Sequence, residues 1–259
     1  MRLIHPILAD KTHKTKGIVL RTVKYGDTSI VVSVYTEAFG LQSYIVNGVR
    51  SAQKNGSNKA AFFQPAVMLD MEVYHNSFKQ LNRIKEYRLA CIHTNIFSNV
   101  LKNGVAQYMV ELLAKCLKEP ENNPDLFAFV EDSLQQLNAC NEAIMANFPV
   151  FFGVQLSSFF GFFPRISNSL TASQTSTVFD MQEGIFTDQL PVHNLYLETK
   201  SASLLAELSM ARQPSELSEI RANGELRRRV LEALETYYSL HVQDFGRLKT
   251  VPVLRELMR

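Results

Sequence analysis

The chain of 259 residues contains no tryptophan, three cysteines, nine prolines and eleven glycines. So few chain breakers beside an apolar content of 46% exclude a disordered or collagen-like polymer. The length suits one large or two ordinary domains. The cysteines, Cys91, Cys116 and Cys140, lie far apart with no CxxC pair, which excludes a disulfide scaffold. Each falls in an apolar, helical-looking stretch, the ordinary setting of a buried reduced thiol, so a reducing, cytoplasmic compartment is expected.

Long apolar runs are missing as well. The opening MRLIHPILAD has a short apolar run broken by His5 and Pro6 and no small-residue cleavage site, so no export signal is expected. The most apolar segment, Phe148–Phe163, is interrupted by Gln155, Ser157 and Ser158 and falls short of the ~20 residues a membrane span needs. It reads as a core helix.

Catalytic signatures are equally absent. The chain has no GxSxG, no P-loop, no HExxH and no GxGxxG, and its six histidines (5, 13, 75, 93, 193 and 241) are scattered without ligand spacing. No set of four Cys or His occurs at structural-zinc spacing either. The expectation is a non-enzymatic protein with no cofactor and no metal, although an active site assembled from dispersed residues would leave no local mark.

What the chain does have is a division of charge. Residues 1–88 carry 13 Lys+Arg against 6 Asp+Glu, a net +7, whereas residues 89–259 carry 14 against 19, a net −5. A basic module joined to an acidic one suggests a part that faces a polyanion and a part that meets something else.

The periodicity divides at the same place. From Lys16 to Arg88 it is close to two: Ile18, Leu20 and Thr22 alternate with Val19, Arg21 and Val23; Ile30, Val32 and Val34 form a second run, and Val67, Leu69, Met71 and Val73 another. Leu41–Val46 and Phe78–Tyr87 complete five strands, with turn signals at Tyr25-Gly26-Asp27, Phe39-Gly40 and His75-Asn76-Ser77. Five short strands hide their edges best by closure, which points to a five-stranded OB-type β-barrel. Between the third and fourth strands lies a polar loop, Gly48–Ala61, with three basic and no acidic residues.

After Arg88 the period is helical. Val105, Tyr108, Met109, Leu112, Leu113, Cys116 and Leu117 form an apolar stripe that Pro120 stops, and Asn123-Pro124 reads as an N-cap followed by proline at the first helical position. Further helices are expected at Ala143–Phe160, Ala202–Ala211 and Glu225–Val242, with a short one after Pro252. Ser167–Thr187 resists this pattern and reads as a loop followed by a small hairpin around Gln182-Glu183-Gly184. The expected fold is therefore α+β: an OB barrel over 1–88 and a mostly α-helical domain over 89–259, with a loop and hairpin insertion at about 165–190.

An OB barrel binds single strands through a cationic groove in which bases stack on aromatic rings. The candidate phosphate contacts are Arg21, Lys24, Arg50, Lys54, Lys59, Arg83, Lys85 and Arg88, with Lys14 and Lys16 nearby. Tyr35, Tyr44, Phe62, Phe63 and Tyr74 are the aromatic candidates, most of them expected to fill the barrel. In the helical domain, Arg227, Arg228 and Arg229 form a second basic cluster. Because Glu225, Glu232 and Glu235 surround the arginine run, a salt-bridged solvated face is its default reading.

The stretch from Lys14 to Asn55 resembles the amino-terminal domain of the RecO family of bacterial recombination mediators. The resemblance rests on the "GIVL" strand, the Tyr-Gly-Asp turn, Tyr35-Thr36 with Gly40, and "NGVR" opening a basic loop. It continues through Phe63-Gln64-Pro65 and Leu81–Glu86, and Leu226–Val253 is similar to the family's carboxy-terminal end. The resemblance implies binding of single- and double-stranded DNA and annealing of complementary strands. It further implies partnership with RecR, recognition of the acidic, apolar-ended carboxy-terminal tail of single-stranded-DNA-binding protein, for which Arg165 beside Phe162 and Phe163, or Arg227, Arg228 and Arg229 near Tyr237 and Tyr238, are the candidates, and help in loading RecA onto gaps, in a bacterial, nucleoid-associated setting. Many members of the family carry a four-cysteine zinc cluster in the segment corresponding to Arg165–Gly184, which here contains no cysteine. Two other readings stay open: an OB-fold protein-interaction scaffold, and an RNA-binding protein without annealing activity.

Overall fold

The computed structural model describes residues 12–49, 59–166 and 178–258. Five antiparallel or parallel-paired strands, β1 (Thr12–Tyr25), β2 (Ser29–Thr36), β3 (Gly40–Val46), β4 (Met68–Tyr74) and β5 (Asn82–Leu89), close into a barrel in the order β1-β2-β3-β5-β4. Closure is made by β3 running parallel to β5 through Tyr44↔Asn82 and Ile45↔Arg83. The interior is filled by Val19, Ile30, Val32, Val34, Tyr44, Leu69, Met71 and Val73, which is the expected OB-type barrel with a solid core.

One irregularity sets which side chains face outward. The β1–β2 register shifts between Val19 and Arg21, so Leu20 is an extra residue in the ladder. Val19 pairs with core-facing Val34, and in an unbroken strand Arg21 would share its parity and point inward. The bulge flips that parity: Arg21 instead pairs with Ser33 on the outer face, followed at two-residue intervals by Val23 and Tyr25, both exposed.

The fifth strand departs from expectation at its start. It begins at Asn82 rather than Phe78, because the Asn76 side chain accepts the Phe78 amide at 2.9 Å and the Asn76 carbonyl accepts the Lys79 amide at 3.0 Å. These bonds hold residues 76–79 as a turn and prevent them from joining the ladder.

Contacts divide the chain into two compact units, the barrel with its continuation to Ile92 plus Leu117–Glu131, and His93–Cys116 plus residues from Asp132 onward. Within the first, Tyr35 on β2 donates its hydroxyl to the Asn123 carbonyl and its ring meets Phe127.

The second unit is mainly helical: α1 (Thr94–Ser98), α2 (Val100–Cys116), the later half of α3 (Pro124–Ala139), α4 (Glu142–Ser158), α5 (Thr199–Met210), α6 (Gly224–His241) and α7 (Thr250–Leu257). The expected cap is present, with Asn123 Oδ1 accepting the Leu126 amide at 3.0 Å. The apolar stretch beginning at Phe148 is the buried helix α4, and no helix among the described residues is long and apolar enough to cross a membrane.

The insertion is richer than a hairpin. β7 (Val178–Asp180) and β8 (Ile185–Thr187) form the hairpin, and β6 (Arg165–Ile166) and β9 (Tyr196–Leu197) extend it to a four-stranded sheet in the order β6-β8-β7-β9. Its turn requires Gly184, whose φ is +65° and where a Cβ would lie 2.6 Å from the Tyr237 hydroxyl. Strands of two residues carry no periodicity, which is why β6 and β9 escape a sequence reading. Residues 167–177 of the expected loop lie outside the described residues.

Candidate nucleic-acid interface

The outer wall of the barrel has two faces of different electrostatic character, one of mixed charge and one poor in carboxylates. On one, formed by the first half of β1 with β4 and β5, charges of both signs alternate across the strands. Lys16 stands opposite Asp70 and Lys14 opposite Glu72, while Asp70 faces Arg88 and Glu72 faces Glu86. Three of the four cations here are paired: Lys16 with Glu131 at 2.8 Å, Lys85 with Glu72 at 2.9 Å and Arg88 with Asp70 at 3.0 Å, while Lys14 faces Glu72 across the strands. Hydrogen bonds from Thr12 and Lys85 hold the Glu72 carboxyl below its usual range, and the bond to Glu131 raises Lys16 above its own. A groove of about 610 Å³ runs along this face, lined by Lys14, Lys16, Asp70, Glu72, Glu86 and Arg88 among others. A phosphate entering it would meet four carboxylates, Glu37 included, against three cations.

The second face is built from β1 beyond the bulge, β2, β3 and the start of β5. Two cross-strand rows can be read from the pairings: Arg21–Ser33–Ser43, and Val23–Val31–Ile45–Arg83. Strands β2 and β3 contain no Asp or Glu; Asp27 and Glu37 sit in the flanking turns. Arg21, Lys24 and Arg83 are exposed, and none of them forms an ion pair among the described residues. At ~4.8 Å per strand, Arg83 lies roughly 14 Å from Val23 across this wall. Hydroxyls, aliphatic side chains and unpaired cations together make a surface for a phosphate backbone with bases attached.

The candidates from sequence therefore separate. Arg21 and Arg83 share the carboxylate-poor side, Lys24 is exposed but pairs with core-facing Ile30 on the opposite side of β1, and Lys59 is exposed at the head of a 3-10 turn, Lys59–Phe63. Lys85 and Arg88 belong to the salt-bridged side. Arg50 and Lys54 lie outside the described residues.

The aromatic expectation needs correction. Tyr35, Tyr44 and Phe63 are at most 1% exposed and belong to the packing, and burial pushes the Tyr35 hydroxyl up to about 12. Phe62 and Tyr74 are half-buried, and Phe62 meets the Tyr87 ring edge-on. The rings that do reach solvent are Tyr25, at the end of β1, and Phe78, in the β4–β5 turn. The alternating pattern hid Tyr25 because the bulge that turns it outward has no local signature.

In the helical unit, Phe162, Phe163, Arg165, Tyr237, His241 and Glu183 line a cleft of about 360 Å³. Phe162 stacks on His241 at 5.3 Å and its carbonyl accepts the Tyr237 hydroxyl. Burial pushes the Tyr237 hydroxyl well above its usual range, with Arg165 pulling the other way. The arginine run is not one patch: successive residues on a helix are ~100° apart. Arg227 donates to Asn147 Oδ1 at 2.8 Å and burial lowers its pKa, while Arg229 pairs with Glu225 at 2.8 Å.

Comparison with known proteins decides the family. Residues 11–92 match the family described as Recombination protein O N terminal, and residues 98–250 match Recombination protein O C terminal. The chain belongs to the RecO family. It is 34% identical over 245 residues to DNA repair protein RecO of Bacteroides fragilis, covering 94% of this chain and 98% of that one. The Phocaeicola vulgatus protein of the same name is 32% identical with the same coverage, and that of Porphyromonas gingivalis is 27% identical over 243 residues. RecO membership places the chain in DNA repair and recombination. The zinc cluster that many RecO members carry does not fit here. The corresponding sheet is packed around Phe179, Met181 and Phe186, all nearly fully buried, and no group of three or more His, Cys, Asp or Glu among the described residues could hold a metal.

Proposed function

We propose that the chain is a recombination mediator that binds single- and double-stranded DNA on the carboxylate-poor face of its barrel and anneals complementary strands. The observation that carries this is the pair Arg21 and Arg83, exposed and without ion pairs among the described residues on a wall whose two central strands lack carboxylates, with Lys24 exposed at the end of β1 beside it. Lys59 is a further exposed cation of this unit, and Arg50 and Lys54, which lie outside the described residues, are proposed with it as phosphate contacts. Two strands repel through their phosphates, and a protein that neutralises both raises their encounter rate without chemical fuel, so annealing is independent of ATP.

In this reading the cleft around Arg165 receives the tail of the single-stranded-DNA-binding protein. The tail's acidic residues would face Arg165, its apolar end would lie against Phe162, Phe163 and Tyr237, and Arg227 is already committed to Asn147. RecR is the expected protein partner, and RecA loading onto gaps the outcome. The test is annealing of strands coated by the cognate binding protein, with and without its last residues. Faster annealing with the intact tail supports the scheme; equal rates would remove tail recognition, and failure to anneal naked strands at low salt would remove the mediator reading.

A further inference from the structure

The β4–β5 loop holds the most exposed aromatic ring among the described residues: Phe78 is 97% exposed. The ring stands on a firm base. Beyond the two bonds that fold residues 76–79, the Asn76 amide donates to Asn82 Oδ1 at 3.1 Å, and Asn82, itself 3% exposed, donates from Nδ2 to Gln42 on β3 at 3.3 Å. Phe78 is thus presented by a turn anchored in the barrel wall, and fixing it against a ligand costs little conformational entropy.

Beside it opens a cleft of about 600 Å³ lined by Tyr74, His75, Asn76, Lys79, Asn82 and Arg83, with Leu81 at its edge. Two of these residues are cations and none is a carboxylate, unlike the groove on the salt-bridged side. Arg83 also ends the row Val23–Val31–Ile45–Arg83, so the cleft continues the carboxylate-poor face.

The combination selects its ligand. A duplex would neutralise Lys79 and Arg83, but its bases are stacked inside and leave Phe78 unmatched. An apolar peptide side chain needs enclosure, and Phe78 offers an open ring with no walls. An unpaired nucleotide supplies both requirements, a flat π-face for the ring and a phosphate for the cations. We propose that Phe78, Lys79 and Arg83 form a capture site for an unpaired nucleotide, the base stacked on Phe78 and its phosphate between Lys79 and Arg83, which makes the barrel prefer single strands to duplex. The site rests on the DNA-binding reading above and adds strand selectivity to it.

The chain has no tryptophan, so Phe78→Trp introduces a single indole as a reporter. Because the position is solvent-exposed, the variant keeps the fold. Titration of the full chain with oligothymidylate of about twenty nucleotides should quench the indole, whereas a duplex of equal charge should not. Phe78→Ala should weaken single-strand affinity by about 5- to 100-fold while leaving duplex affinity within about twofold, and Phe78→Tyr should restore it. Absence of quenching while the strand binds, equal losses for both DNA forms, or quenching by an acidic peptide but not by oligothymidylate would each overturn the site. If the wild-type chain bound neither form at low salt, the DNA-binding reading itself would fall and the site with it.

Discussion

At the scale of single residues, ion pairing separates cations that the sequence presents as equivalent. Arg21 and Arg83 form no ion pair among the described residues, so a phosphate gains their full attraction, whereas Arg88 must first be withdrawn from Asp70. Each phosphate neutralised on duplex DNA contributes ~0.9 to the slope of log K against log salt. Replacing Arg21 and Arg83 together by Ala should lower that slope by up to about 1.8, and Arg88→Ala should change it by well under half as much; fluorescence anisotropy over a salt series decides between them. His75 provides a second residue-level test. Its ring stacks on Phe39 at 3.8 Å, its Nδ1 is buried without a hydrogen-bond partner among the described residues, and burial followed by the nearby His13 lowers its pKa below 6.5. The unfolded chain then binds the proton more readily than the folded one. Stability is fully present above the unfolded value and is lost as pH falls through 6.5 toward the folded pKa. Melting temperatures between pH 7.5 and 5.5 should fall on acidification, and His75→Phe, which keeps the stack, should flatten that dependence.

Among the elements, two local devices carry more weight than helix or strand propensity. The bulge at Leu20 keeps an arginine out of the barrel core and turns Arg21, Val23 and Tyr25 outward. In the helical unit, the start of α7 is capped from a distance. Glu111 on α2 accepts the Lys249 amide at 2.9 Å, the Thr250 amide at 2.9 Å and the Thr250 hydroxyl at 2.6 Å, and its charge lies at the positive end of the helix dipole. Glu111→Ala leaves two amides and a hydroxyl without that acceptor and should destabilise the chain by about 1–2 kcal/mol, lowering the urea midpoint and speeding amide exchange in α7. Unchanged exchange in α7 would show that water replaces the cap without loss.

For the molecule as a whole, the small sheet β6–β9 overlaps the segment in which the family resemblance implies a zinc cluster. Here its stability comes from apolar packing, with Phe179 against Phe186 at 4.8 Å and against Tyr237 at 5.2 Å. Asp180 fixes the turn by accepting the Gln182 amide at 2.9 Å and the Glu183 amide at 3.2 Å. Purified protein should therefore contain no stoichiometric zinc, and a chelator should leave the melting temperature unchanged; one zinc per chain, with unfolding on its removal, would contradict this.

Local periodicity was enough to read the barrel strands, the buried helix α4 and the Asn123 cap, because each depends on residues a few positions apart. The charge division and the absent catalytic motifs were legible for the same reason, as was the resemblance to RecO in the first strands. The identity of the usable cations was not. Arg88 is neutralised by a residue 18 positions away and Lys16 by one 115 positions away, distances over which a sequence carries no pairing rule. Nor could alternation reveal the register shift that exposes Tyr25, or the side-chain bonds of Asn76 that lift Phe78 out of the strand. Sequence by itself determined the kinds of element and the sign of their charge; only the closed barrel decided which charges remain free and which rings face solvent, since both follow from partners that closure brings together.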